Sequence, residues 1–129
     1  MVHMVFLASN SFSNLEDCVK MAEGHRIAFM ECVKGLLAYK KGEKNKAFCI
    51  LEAYYREYGS VEEHFLSNKV FGMLLAEKGQ YQKAVPFLTY ALQFIPDDME
   101  TLSFLKKCYM ELNDIKRTEI IADVMSVLA

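Results

Sequence analysis

The sequence has no C-x-x-C pair among its four cysteines, which stand at Cys18, Cys32, Cys49 and Cys108. The last three fall in predicted helices among apolar neighbours. They read as buried free thiols in a reducing compartment rather than as disulfides or metal ligands. The histidines His3, His25 and His64 are scattered and fit no zinc spacing, so no metal is expected. Charge of one sign is missing too, since 15 Lys+Arg stand against 17 Asp+Glu for a net charge of −2. The two signs are interspersed, which leaves no electrostatic footprint for nucleic acid or anionic lipid. No apolar run approaches the roughly 18 residues that a membrane span needs. Residues 1–8 are apolar but short and lack a Lys/Arg-rich start, so a signal peptide is not expected. There is no phosphate-cradling glycine loop, no nucleophile elbow and no His–carboxylate pair at helical spacing. Glu62-Glu63-His64 lacks an H-E-x-x-H frame and reads as an exposed acidic helix start. Together these absences point to a cytoplasmic non-enzyme without a cofactor.

What is present is grease and small residues at regular intervals. The hydrophobic fraction is 53%, with eight Met, nine Phe and seven Tyr. That is more apolar side chain than the core of one small domain must use, although a chain of this length suits a single domain. The stretch Phe65–Asp98 organises the rest. Gly72, Ala84 and Ala91 supply small contacts, Phe71, Leu75, Tyr81 and Leu88 supply bulk, and Pro96 closes the unit. Gly72 and Ala84 let two helix backbones approach, Ala91 does the same for the next helix, and Pro96 cannot continue a helix.

This spacing resembles the tetratricopeptide repeat, a helix–turn–helix of about 34 residues with L-G-x-x-Y in the first helix and A…F/Y…A…P in the second. Asn68 stands where that family places a Trp or a similar residue. A degraded copy precedes it: Gly35, Gly42, Ala47 and Leu51 answer Gly72, Gly79, Ala84 and Leu88, each pair 37 residues apart. A third copy follows, in which Leu102, Leu105, Tyr109, Asn113 and Ile115 answer Asn68, Phe71, Leu75, Gly79 and Tyr81. There Lys106 replaces the small residue of the L-G pair and Thr118 replaces Ala84. Helix starts are expected at the capping boxes Ser13-x-x-Glu16 and Ser60-x-x-Glu63, and at Asp97/Asp98 and Asp114. Gly24 is expected to break the first helix, and Pro86 to bend, without ending, the helix that contains it.

The resemblance implies an all-α fold, a right-handed α-solenoid of about three helical hairpins. The expected division is an N-terminal arm (1–13) and a repeat domain (14–129), with repeats near 28–64, 65–98 and 99–129. The arm is either frayed or, through Val5, Phe6 and Leu7, folded onto a partner or onto the chain's own groove. In such arrays the first helices line a concave face. On this register the face is formed by Phe29, Cys32, Leu36 and Tyr39 from the first unit, Leu66, Lys69, Met73 and Ala76 from the second, and Ser103, Lys107 and Met110 from the third. It is mostly apolar over its first two-thirds, which suits an apolar helix or extended segment of another protein. On this view Met73→Glu or Leu36→Glu weakens partner binding without unfolding the array. Lys107 is either a solvated face or a mate for an acidic partner.

The segment Gly35–Ala53 (G-L-L-A-Y-K-K-G-E-K-N-K-A-F-C-I-L-E-A), with the Pro-terminated repeat after it, resembles the small three-repeat chaperones of bacterial type III secretion. It is most similar to the YscY-like (SctY) chaperones, which bind the early-secreted SctX subunit. The likeness spans residues 25–128, and needle-subunit and translocator chaperones share the same pattern. It implies a cytosolic chaperone that sequesters apolar helices of a small secreted substrate and helps deliver it to the export gate. The other reading is a scaffold that self-associates, for instance as a homodimer, or links two folded proteins, with no export role.

Overall fold

Three turns with one hydrogen-bond pattern set the repeat. Gly42, Gly79 and Asn113 have positive φ of 84°, 79° and 59°. Each amide donates to the carbonyl three residues back, and the following amide donates five residues back. Gly42 and Glu43 reach Tyr39 and Ala38 at 2.9 and 3.0 Å, Gly79 and Gln80 reach Ala76 and Leu75 at 3.0 and 2.9 Å, and Asn113 and Asp114 reach Met110 and Tyr109 at 3.1 and 2.9 Å. These are Schellman helix ends, which need a left-handed residue: Gly twice, and Asn, the side chain that tolerates it next best. The residue after each turn starts the next helix, its carbonyl accepting from Ala47, Ala84 and Thr118 at 2.9, 3.0 and 3.0 Å.

The structure, a computed structural model, describes residues 15–59 and 65–129, with side chains from 26 onward. The expected arm and the capping boxes at Ser13 and Ser60 lie outside the described residues. Six helices follow in order: α1 Leu15–Lys40, α2 Lys44–Tyr58, α3 Phe65–Glu77, α4 Tyr81–Phe94, α5 Met99–Glu111 and α6 Ile115–Leu128. Among the described residues there is no strand. Gly24 does not break α1, which is one helix of 26 residues. A mid-helix glycine costs only about 1 kcal/mol, too little to end a helix whose neighbours propagate. Helix α4 likewise runs on through Pro86. Asp98 caps α5, accepting from the Glu100 amide at 3.2 Å and the Thr101 hydroxyl at 2.9 Å. Asp114 caps α6, accepting from the Arg117 amide at 3.1 Å.

Each odd-numbered helix pairs with the even-numbered one that follows, giving three hairpins. Successive hairpins meet through α2–α3 and α4–α5, and the first helices touch directly as α1–α3 and α3–α5. The second helices α2 and α4 meet through side chains, the Tyr55 and Phe87 rings lying 4.9 Å apart edge to face. This is the contact order of an all-α helical-repeat array.

Glycine and leucine close the first two hairpins. A Cβ on Gly35 would lie 2.7 Å from Leu51 Cγ and Cδ2, and one on Gly72 would lie 2.8 Å from Leu88 Cγ and 3.2 Å from the Leu88 amide nitrogen. Leu51 and Leu88, 37 residues apart, are fully buried. The third hairpin inverts the pair, because Lys106 and Ala122 hold the equivalent positions. Bulk moves from the second helix to the first, and α6 has no buried residue.

Helix α3 is the centre of the array. From Ser67 to Ala76 every residue except Lys69 is buried. An α-helix apolar all round is one enclosed all round, and α3 touches α1, α2, α4 and α5. Its polar groups are satisfied inside. The Tyr55 hydroxyl lies 2.9 Å from Ser67 Oγ and donates to Asn68 Oδ1. Asn68 therefore fills its site with a hydrogen bond to an aromatic neighbour instead of with a large ring of its own.

Candidate protein-binding surface

The eleven residues expected on the concave face separate by depth. Cys32, Met73 and Ala76 are each 2% exposed, and this corrects their assignment to a contact surface. Met73 and Ala76 lie on α3, which is flanked by both neighbouring first helices, and Cys32, on α1, packs with Ala28 and Tyr54, so the floor is closed by the chain's own packing. Burial raises the Cys32 thiol pKa, and a hydrogen bond with Ser67 offsets this only in part, so the thiol stays protonated and unreactive. Leu36 and Tyr39 are half-buried and lean on the central core. Burial, then Glu100, pushes the Tyr39 phenol pKa up against the opposing pull of Lys44 and Lys69. Those charged neighbours place Tyr39 on the side of the array where the first helices meet.

Phe29 and Leu66 remain open, at 52% and 49% exposure. They occupy equivalent positions 37 residues apart on two helices that touch. Ser103, Lys107 and Met110 on α5 are also exposed. The surface thus has an apolar part on the first two hairpins and a mixed part on the third, joined over a closed floor.

Lys69 is not a free cation on this face. Its ammonium lies 2.7 Å from Asp98 Oδ2 and 2.9 Å from Glu100 Oε1, and its side chain is 18% exposed. The lysine of α3 thereby fastens the start of α5, and Glu100 holds the place equivalent to Phe29 and Leu66. Burial works against both charges, but the hydrogen bonds prevail. They raise the Lys69 pKa and, with Thr101 assisting, lower that of Asp98. A depressed carboxyl stabilises the fold above its unfolded pKa of about 3.9 and loses that contribution as pH falls through the folded value. The raised lysine stabilises below about 10.4 and loses its part as pH rises through the folded value. Asp98→Asn keeps a capping residue but removes the charge, so it is expected to cost about 1–2 kcal/mol at pH 7. Urea melts of the two proteins should converge toward pH 2. A gap that persists there would show that shape rather than charge is responsible.

Register on the first helices gave no sign of a further group of exposed apolar residues. Phe65 stacks on Phe94 at 5.3 Å, which brings the start of α3 to the end of α4. Exposed at that end of the array are Phe65, Leu66, Phe94, Ile95 and Met99. Helix α1, 26 residues against 15 for α2, runs past its partner on the same side, where Ile27 and Met30 are exposed beside Phe29. The visible sequence signal was an apolar Phe94-Ile95 pair set directly before the Pro96-Asp97-Asp98 turn, where a solvated loop would be polar.

Among the described residues no group of three or more His, Cys, Asp or Glu is placed to hold a metal ion. No helix there is long and apolar enough to cross a membrane. No protein-family model matches the chain, and comparison with curated proteins and with solved structures finds no match.

Proposed function

We propose that the chain is a tetratricopeptide-type solenoid that binds protein, a non-enzymatic chaperone of the bacterial cytoplasm. It shields an apolar helical or extended segment of a small type III secretion substrate and aids its export. The observation that carries this reading is the pair Phe29 and Leu66, half-exposed at one repeat position on adjoining helices. A solvated array has no use for large apolar side chains in register there, and each one covered by a partner contributes roughly 1–2 kcal/mol. The resemblance of residues 25–128 to the secretion chaperones supplies the kind of partner. A second reading, an adaptor or homodimer unconnected with secretion, draws on the outward face of α6, where Ile120, Val124 and Val127 are exposed.

Expression alone and together with candidate small secreted proteins separates the two readings. A chaperone binding its client only in the native state gains stability from it by mass action. The chain alone should self-associate and become monodisperse in a stoichiometric complex. Phe29→Glu and Leu66→Glu, both on exposed positions, should leave the unfolding free energy within about 0.5 kcal/mol and weaken the complex at least about tenfold. A free chain that is monodisperse, with no candidate secreted protein that stabilises it, overturns the chaperone reading.

A further inference from the structure

The first helix of the array leaves open a face that the later repeats bury. By the 37-residue spacing, Met30, Val33 and Leu37 on α1 answer Ser67, Val70 and Leu74 on α3. By the 34-residue spacing, those in turn are answered by Thr101, Phe104 and Cys108 on α5. All six inner residues are buried except Phe104, which is half-buried. On α3 this is the side that meets the preceding hairpin, since Ser67 Oγ lies 2.9 Å from the Tyr55 hydroxyl of α2. On α1, Met30 and Leu37 are half-exposed and Val33 is half-buried. At 3.6 residues per turn they lie opposite Ala28, Cys32 and Gly35, the buried side of α1.

Helix α6 leaves open the matching face at the other end. Ile120, Val124 and Val127, at i, i+4 and i+7, are exposed. By the 34-residue spacing they answer Pro86, Tyr90 and Gln93 of α4, which line the groove that faces the α5–α6 hairpin. It is the face that a second helix turns toward the hairpin after it. The rims differ in sign. Around the α1 face stand the exposed Arg26, Lys34, Lys40 and Lys41, and Glu31, paired with Lys34 at 3.0 Å, is the one acid among residues 26–41. Beside the α6 face stand the exposed Glu119 and Asp123, with Lys116, while Arg117 is held by Asp114 at 2.6 Å. Residues 1–14 carry no Asp or Glu to meet the cations of α1.

We propose that copies of this chain bind head to tail, the outward face of α6 on one covering Met30, Val33 and Leu37 of α1 on the next. The contact repeats between molecules the junction that joins hairpins within one. It stands on the repeat and on the charge of its two ends, and does not depend on the chaperone reading. One helix face on another is a small contact, so the association is weak. A head-to-tail contact leaves one face open at each end, so growth passes the dimer.

Sedimentation equilibrium in reductant tests it, on the full chain carrying Leu66→Glu to silence the client surface. The weight-average mass should rise past the dimer between about 0.05 and 1 mM chain, as a contact of this size allows. Leu37→Glu blocks the α1 face and Val124→Lys blocks the α6 face. Both positions are exposed, so both variants should stay folded, with Met30→Glu and Ile120→Lys as alternates. Each blocked chain alone should stay monomeric, and an equimolar mixture of the two should form dimers and nothing larger. Glu119→Lys with Asp123→Lys should weaken the contact of the unblocked chain roughly threefold at low salt. Overturning results are a monomer throughout, a plateau at the dimer in the unblocked chain, or a blocked chain that pairs with itself. A mixture that stays monomeric, or an unchanged association constant after charge reversal, overturns the proposal equally.

Discussion

Met73→Glu is expected to unfold the protein rather than to weaken a complex. Met73 is 2% exposed in the middle of α3 and belongs to the central core. An ionised carboxylate there would have no cationic partner, since Lys69 is committed to Asp98 and Glu100. Protonating it to avoid the charge still leaves a buried polar group and a lost thioether contact. The combined cost is about 4–5 kcal/mol or more, the upper end of what single substitutions do. Domains of this size are stable by only about 5–15 kcal/mol, so the variant should be largely unfolded in modest urea. Leu66→Glu, on the same helix but exposed, is the matched control and should melt with the wild type. A Met73→Glu protein with an unchanged midpoint would show that α3 is not enclosed.

The second large effect concerns how the hairpins close. Leu88→Ala removes a fully buried side chain and should cost about 2–5 kcal/mol. Gly72→Ala drives a methyl into Leu88, with the Leu88 amide nitrogen only 3.2 Å away, and should cost about 1–3 kcal/mol net of the helix propensity it gains. Done together they should cost less than the sum by roughly 1–2 kcal/mol, because the new methyl enters the space the leucine leaves. The third hairpin already carries that exchange, with Lys106 and Ala122 at the equivalent places. Strict additivity in urea melts would mean that the two residues do not share one contact.

Much of the fold was legible because the repeat is written in residues with steric jobs. Gly42 and Gly79 mark the turns by their need for positive φ, and Asn113 stands in for them in the third hairpin. Gly35 and Gly72 mark the close approaches against Leu51 and Leu88. Depth on the first-helix side was harder to read. A register states which way Cys32, Met73 and Ala76 point, but not that Tyr54 covers Cys32 or that first helices flank α3 on both sides of Met73 and Ala76. The sequence carried a hint, since V-F-G-M-L-L-A (70–76) offers no polar face at all, and a helix without one is enclosed. The fastening of Lys69 to Asp98 and Glu100 had no local signal, because it requires α3 and α5 to be neighbours across a whole hairpin. Gly24 misled for the opposite reason: the local cost of glycine is real but smaller than the cooperativity of the helix around it. The exposed Phe65, Phe94 and Met99 lie at helix ends, where periodicity says least about what faces solvent.

Hydrogen–deuterium exchange of the chain with and without a small secreted protein of the proposed client class tests the central claim most directly. The account predicts added protection from Phe29 to Tyr39, from Phe65 to Lys69 and along α5, with α2 unchanged. Protection confined to α2 or to the outward face of α6, with none around Phe29 and Leu66, would contradict it.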